Sequence, residues 1–216
     1  MSIGTISELW RYPVKSMKGE SLEQLEVVKD GVIGDRAFSI RSHLSRPRFP
    51  YFTGRDYAPL VLYRPRFSGQ DEQPSPPTLD RLQVVTPEGR TLSATDPALF
   101  SEMEANARGD HRLEWVIADG PQTDAYPISV ISRQTVGALA EALSSDAPVS
   151  NTDSARRYRP NIVLDLPETG GFAEDAWAGR TLRLGDTVEV EIAERDARCA
   201  MITLDPDSAE RTPRVL

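Results

Sequence analysis

The chain holds one cysteine, two histidines and no apolar run long enough to span a bilayer as a helix. A lone thiol cannot close an intramolecular disulfide, so Cys199 is left to packing, reactivity or metal ligation. His43 and His111 are too few and too far apart in sequence to support a zinc site or a histidine-dependent hydrolase. Basic residues are also in deficit: 25 against 33 acidic ones leave a net charge of −8, which opposes binding to nucleic acid or to an anionic membrane surface. The phosphate-loop, dinucleotide, HExxH and CxxC patterns are all missing. The opening "MSIGTISELWRYPVKS" has no apolar signal core, so with its single thiol the chain is expected in a reducing cytoplasm.

What is present points to short elements. The 17 prolines favour turns and loops over long helices. "SLEQLEVVKDGVIGDRAFSI" reads as two strands broken at Asp30-Gly31, with a bend at Gly34. "HLSRPRFPYFTGRDYAP" reads as a long loop from His43 to Pro59, and Phe67 to Asp80 as a polar, proline-rich connection. "LQVVTPEGRTLSA" predicts a hairpin across Pro87-Glu88-Gly89, and Asp96 with Pro97 opens a short helix carrying Leu99, Phe100 and Met103. One unit, residues 1–109, ends near Gly109 and a second, 110–216, follows.

In the second unit "AYPISVIS" predicts a buried strand, and Val136, Leu139, Ala140 and Leu143 recur at helical spacing behind Ser132 as N-cap. "TLRLGDTVEVEIAE" alternates with the period of two expected of a strand pair, and "CAMITL" predicts another strand beside it. The fold class is therefore β-rich α+β, with strands closing into a barrel and a few helices outside.

Groups suited to an anionic ligand lie scattered along this pattern. "YPVKSMKG" offers Lys15 and Ser16, "GDR" offers Arg36, Ser132 opens a helix, and "RRYRPNIV" offers Arg159 and Asn161. Singly, each has a plain use as solvated charge, cap or ion-pair partner; together they describe a pocket whose helix N-terminus could hold a phosphate. Arg195 and Arg198 precede Cys199, and nearby guanidinium groups favour the thiolate that ligates metals. On an ideal strand Arg198 would face away from Cys199, so it helps only if the backbone turns.

Six stretches carry a resemblance to a known family. "LWRYPVKSMKGE", "GDRAF" and "FTGRDYAPLV" resemble the N-terminal β-barrel region of the MOSC superfamily, the proteins related to the C-terminal domain of molybdenum cofactor sulfurase. "RYRPNIVL", "FAEDAWAGRTLRLGD" and "RCAMITLDPDSA" resemble the MOSC domain proper. Similarity to the amidoxime-reducing members and their bacterial relatives implies a molybdenum–molybdopterin cofactor between the two regions. Cys199 would then be the metal ligand and catalytic residue, with Lys15, Ser16, Arg36, Ser132, Arg159, Asn161 and Arg198 holding the cofactor. The implied activity is reduction of small N-hydroxylated or N-oxide substrates. Fused iron–sulfur domains occur in bacterial relatives, but one cysteine cannot hold such a cluster, so a separate protein is expected to supply the electrons. The alternative is a cofactor carrier or sulfur-handling protein without reductase activity, or else a plain binding module with Cys199 buried.

Overall fold

The structure is a computed structural model that describes residues 2–46, 49–69, 75–117, 122–123, 125–144, 154–167 and 169–215. In chain order the first strands are β1 (Thr5–Arg11), β2 (Glu20–Ser21), β3 (Val27–Val28), β4 (Gly31–Val32), β5 (Phe38–Arg46) and β6 (Phe49–Phe52). Then come β7 (Arg64–Phe67), β8 (Leu82–Val85), β9 (Thr91–Ser93), helix α1 (Pro97–Asn106) and β10 (Leu113–Ile117). The remainder is β11 (Val130–Ser132), helix α2 (Arg133–Ser144), β12 (Ile162–Asp165), β13 (Arg180–Leu184) and β14 (Val188–Ile192).

Local chemistry sets several of these elements as expected. Asp96 caps α1 by accepting a hydrogen bond from the Ala98 amide at 2.9 Å, Pro97 fills the first helical position, and Leu99 and Met103 are buried. The hairpin β8–β9 turns through Pro87-Glu88-Gly89, with Gly89 at φ 86, and β13 and β14 pair in full antiparallel register. Gly34 bends the chain at φ 78, and a Cβ there would stand 2.8 Å from the Phe67 ring.

Three expectations change. His43 to Pro59 is not one loop: β5 and β6 form a hairpin, with residues 47–48 outside the described set. Pro50 fits within a strand here because proline is tolerated on an edge strand, and β6 is the edge of the sheet β10-β5-β6. "CAMITL" is no strand but a 3-10 turn over Ala200–Thr203, where Ile202 and Leu204 donate to the carbonyls of Cys199 and Met201. The Thr203 hydroxyl adds a 2.7 Å bond to the Ala200 carbonyl, so local partners win over a ladder. The architecture is β-rich α+β with two α-helices among the described residues, but the described strands form separate ladders that do not close into a barrel.

Two strand pairings position the site. β10 joins β5 antiparallel, and β1 lies between β2 and β12 in the sheet β11-β12-β1-β2. The first strand thus sits beside the "RYRPNIVL" segment of the second half. Phe38, Ile40, Phe52, Leu60, Leu82 and Leu99 fill the larger core, and Ile162, Leu164, Leu166 and Leu184 a smaller one. Truncating Leu99, fully buried, to Ala would cost about 2–5 kcal/mol. No described helix is long and apolar enough to cross a membrane.

Candidate active site

Beyond β1 the chain turns through Tyr12–Met17 and is laced to residues 35–38. Tyr12 donates its amide to Asp35 Oδ1 at 2.7 Å and accepts the Arg36 amide at 2.7 Å, while Lys15 donates to the Phe38 carbonyl at 2.9 Å. The backbone is held in a costly conformation here. Five non-glycine residues among those described have positive φ, and three of them are Ser16 (68°), Arg36 (45°) and Arg159 (57°). Left-handed backbone at such residues costs about 1–2 kcal/mol each and concentrates at functional sites.

These strained residues converge. Arg36 pairs with Asp35, donates from Nη1 to Asn161 Oδ1 at 3.2 Å and from Nη2 to the Arg159 carbonyl at 2.9 Å. Arg159 donates from Nη1 to the Met17 carbonyl at 2.6 Å. Both guanidinium carbons lie over the buried Tyr12 ring, Arg36 at 4.7 Å and Arg159 at 4.3 Å from its centroid. The Tyr12 hydroxyl has no hydrogen-bond partner among the described residues, and Tyr12 lines a cavity of about 20 Å³ bounded also by Lys18, Arg156 and Arg159.

Charge is unevenly satisfied in this cluster. Burial acts to lower the Arg36 pKa, but the charge and hydrogen bond of Asp35 outweigh it and raise it. Arg159 forms no ion pair among the described residues; burial pushes it down to about 10, with the neighbouring Arg36 adding to the fall and Tyr12, Asp35 and Cys199 opposing it. At neutral pH it remains a cation seeking an anion.

Cys199 is half-buried and extended (φ −118°, ψ 165°), at the head of the 3-10 turn. That turn is clamped from several sides. The Ser16 hydroxyl lies 3.7 Å from the Met201 sulfur, Arg157 donates to the Ile202 carbonyl at 3.1 Å, and Arg157 pairs with Asp205 while both are buried. A Cβ on Gly54 would meet Leu204 at 2.6 Å and Met201 at 3.1 Å, so the loop after β6 packs closely on the same turn. Lys15 approaches from beside β6: its Nζ lies 3.2 Å from the Gln122 carbonyl and 5.0 Å from the Tyr51 ring centroid.

The other anticipated residues play different parts. Asn161 is buried and fully occupied: Oδ1 accepts from the Ser129 amide and Arg36, and Nδ2 donates to the Trp10 carbonyl, so it orients Arg36 from within the sheet. Ser132 caps α2 as expected, accepting the Thr135 amide at 3.0 Å. The Glu174 carboxylate, however, already takes the Ser132 amide and hydroxyl, at 2.6 and 3.0 Å. The place expected for a phosphate at that helix start is held by a protein anion. Arg198 is exposed and acts electrostatically on Tyr158, and Arg195 pairs with Asp175.

Sequence reasoning passed over Tyr12, Asp35, Arg157 and Gln122. Tyr12 and Asp35 lay inside "YPVKS" and "GDR" but were hidden by the more obvious cations beside them. Gln122, which ties Lys15, Ser39 and the Arg36 carbonyl together, follows no pattern a sequence displays.

Family models match both halves. A model described as the MOSC N-terminal beta barrel domain covers residues 3–98, and one described as the MOSC domain covers 118–216. Among curated proteins, mitochondrial amidoxime reducing component 2 of Bos taurus is 26% identical over 95% of this chain and 68% of its own length. Mitochondrial amidoxime-reducing component 1 of Homo sapiens is 26% identical over 95% and 68%, and that of Mus musculus 25% over 95% and 67%.

Proposed function

The chain belongs to the MOSC superfamily, and from that premise we propose that it is a molybdenum–molybdopterin oxidoreductase reducing N-hydroxylated or N-oxide substrates with electrons from a separate protein. The observation that carries the reading is Arg159, a packed cation with no ion-pair partner among the described residues, set within electrostatic reach of the sole thiol. The donor set fits the group: a thiol for the metal, and Lys15, Ser16, Arg36 and Arg159 for an anionic pterin, between residues 1–109 and 110–216. When bound, the molybdenum centre supplies two-electron removal of oxygen from an N–O group.

The protein's own residues perform the rest. Cys199 would ligate the metal from the end of a clamped turn, so that its sulfur does not wander. Arg36, held in place by Asp35 and Asn161, and Arg159, held by Met17 and Tyr12, would hold the cofactor's anionic group, with Arg159 supplying the charge that no ion pair among the described residues takes up. An N–OH substrate takes up two electrons and two protons and leaves as N–H and water.

Purified protein given a chemical electron donor and benzamidoxime tests this. Benzamidine should form, and Cys199→Ala should abolish its formation. Metal-loaded protein that leaves benzamidoxime untouched would instead be a cofactor carrier.

A further inference from the structure

A second concavity opens beside the candidate site, with a volume of about 470 Å³ and a lining that includes Phe49, Tyr51, Arg55, Asp56, Arg108 and His111. It shares a wall with the cofactor cluster, because the Tyr51 ring that lines it also carries Lys15 Nζ at 5.0 Å. Gly54, next in the chain to the lining residue Arg55, packs closely on Met201 and Leu204 of the turn that follows Cys199. The size suits a small organic molecule.

The chemistry of the lining is specific. Phe49 and Tyr51 meet edge to face with centroids 5.5 Å apart, and Arg55 lies over Phe49 at 5.1 Å, which leaves its N–H fork open at the rim. Neither Arg55 nor Arg108 has an ion pair among the described residues, in a chain of net charge −8. Asp56, the one carboxylate among the described lining residues, accepts from the Thr53 amide and hydroxyl at 2.8 and 3.2 Å. Arg108 is held at its backbone: His111 Nε2 donates to the Arg108 carbonyl at 2.9 Å, and Nδ1 accepts from the Ser42 hydroxyl at 2.8 Å. Among the described lining residues, two guanidinium groups and one carboxylate leave a single positive charge, which matches a carboxylate monoanion better than a phosphate dianion.

We propose that this concavity is the substrate subsite, and that it selects aromatic molecules bearing a carboxylate, the ring lying along Phe49 and Tyr51 and the carboxylate between Arg55 and Arg108. The assignment of substrate rests on the reductase reading above; the binding preference does not.

Isothermal titration of the purified full chain with benzamidoxime and with its para-carboxylate tests it without any turnover. The carboxylate should bind about tenfold tighter at low salt, the size expected of two solvent-edged charged contacts. Arg55→Met with Arg108→Met together should erase that preference, the two probes then binding equally, while the melting temperature stays unchanged. Equal affinities in the wild type, or a preference that survives both substitutions, would overturn the proposal. A carboxylate preference in protein that never reduces either probe would keep the subsite and remove the reductase; reduction of benzamidoxime with no carboxylate preference would do the reverse.

Discussion

The guanidinium carbon of Arg159 stands 4.3 Å from the Tyr12 ring centroid, and that of Arg36 shares the ring at 4.7 Å. One aromatic side chain therefore carries two like charges close together, with a hydroxyl that has no hydrogen-bond partner among the described residues. Tyr12→Phe keeps the ring and removes only the unpaired group, so stability in urea should hold or rise by up to about 1 kcal/mol. Tyr12→Ala should lose about 3–5 kcal/mol.

The same pair of proteins separates at alkaline pH. Burial pushes the Tyr12 pKa up to about 12, against the lowering effect of Arg159 and Arg36. The folded value lies above the unfolded one of about 10, so this contribution is complete below pH 10 and is lost as pH rises towards 12. Wild-type stability should fall more steeply than that of Tyr12→Phe across this window. Parallel curves would contradict the assignment.

Arg159 makes no ion pair among the described residues and feels Asp35 only through space, so Arg159→Met should leave the stability of the apoprotein within about 1 kcal/mol. Molybdenum loading should nevertheless fall steeply. A variant that unfolds, or one that loads normally, would remove Arg159 from the anion site.

Arg157 behaves in the opposite way. It and Asp205 are almost wholly buried and lie 3.1 Å apart, so Arg157→Met removes the ion-pair partner of a buried carboxylate that keeps the Asp207 and Ser208 amides, at a cost of about 3 kcal/mol. Arg157 also holds the Ile202 carbonyl, and its loss should loosen the turn that presents Cys199. Faster alkylation of Cys199 by iodoacetamide is the expected readout.

Asp207 links the halves at the surface, bonding Arg156 at 2.7 Å and Lys18 at 2.7 Å. The hydrogen bond from Arg156, with that from Lys18, holds its carboxyl well below the usual carboxylate range against a smaller effect of burial. Its stabilisation is therefore present above about pH 4 and lost as pH falls further. Because the site is partly exposed, Asp207→Asn should cost no more than about 1 kcal/mol at pH 7 and flatten the acid limb of the stability profile.

Elements with local causes were legible in the residues. Asp96-Pro97 as a helix start, Gly89 in its hairpin and the alternation of β13 and β14 each follow from interactions within a few residues. The 3-10 turn after Cys199 was not legible, since "CAMITL" has the composition of a strand and only its hydrogen bonds decide otherwise. The gathering of Arg36 with Arg159 was anticipated as chemistry but not as geometry. It depends on β1 lying next to β12, a pairing across more than 150 positions. Ser132 shows the limit most plainly: its capping role was written locally, but the carboxylate that fills the anion position comes from Glu174, far along the chain.

Cys199 and the cationic cluster around Tyr12 are proposed to form one molybdenum cofactor site. Elemental analysis of protein purified from a cofactor-producing host tests it most directly, with wild type, Cys199→Ala and Arg159→Met compared at equal melting temperature. Near-stoichiometric molybdenum is expected in the wild type, with a collapse in both variants. Wild-type protein free of molybdenum, or a Cys199→Ala variant that retains it in full, would contradict the account.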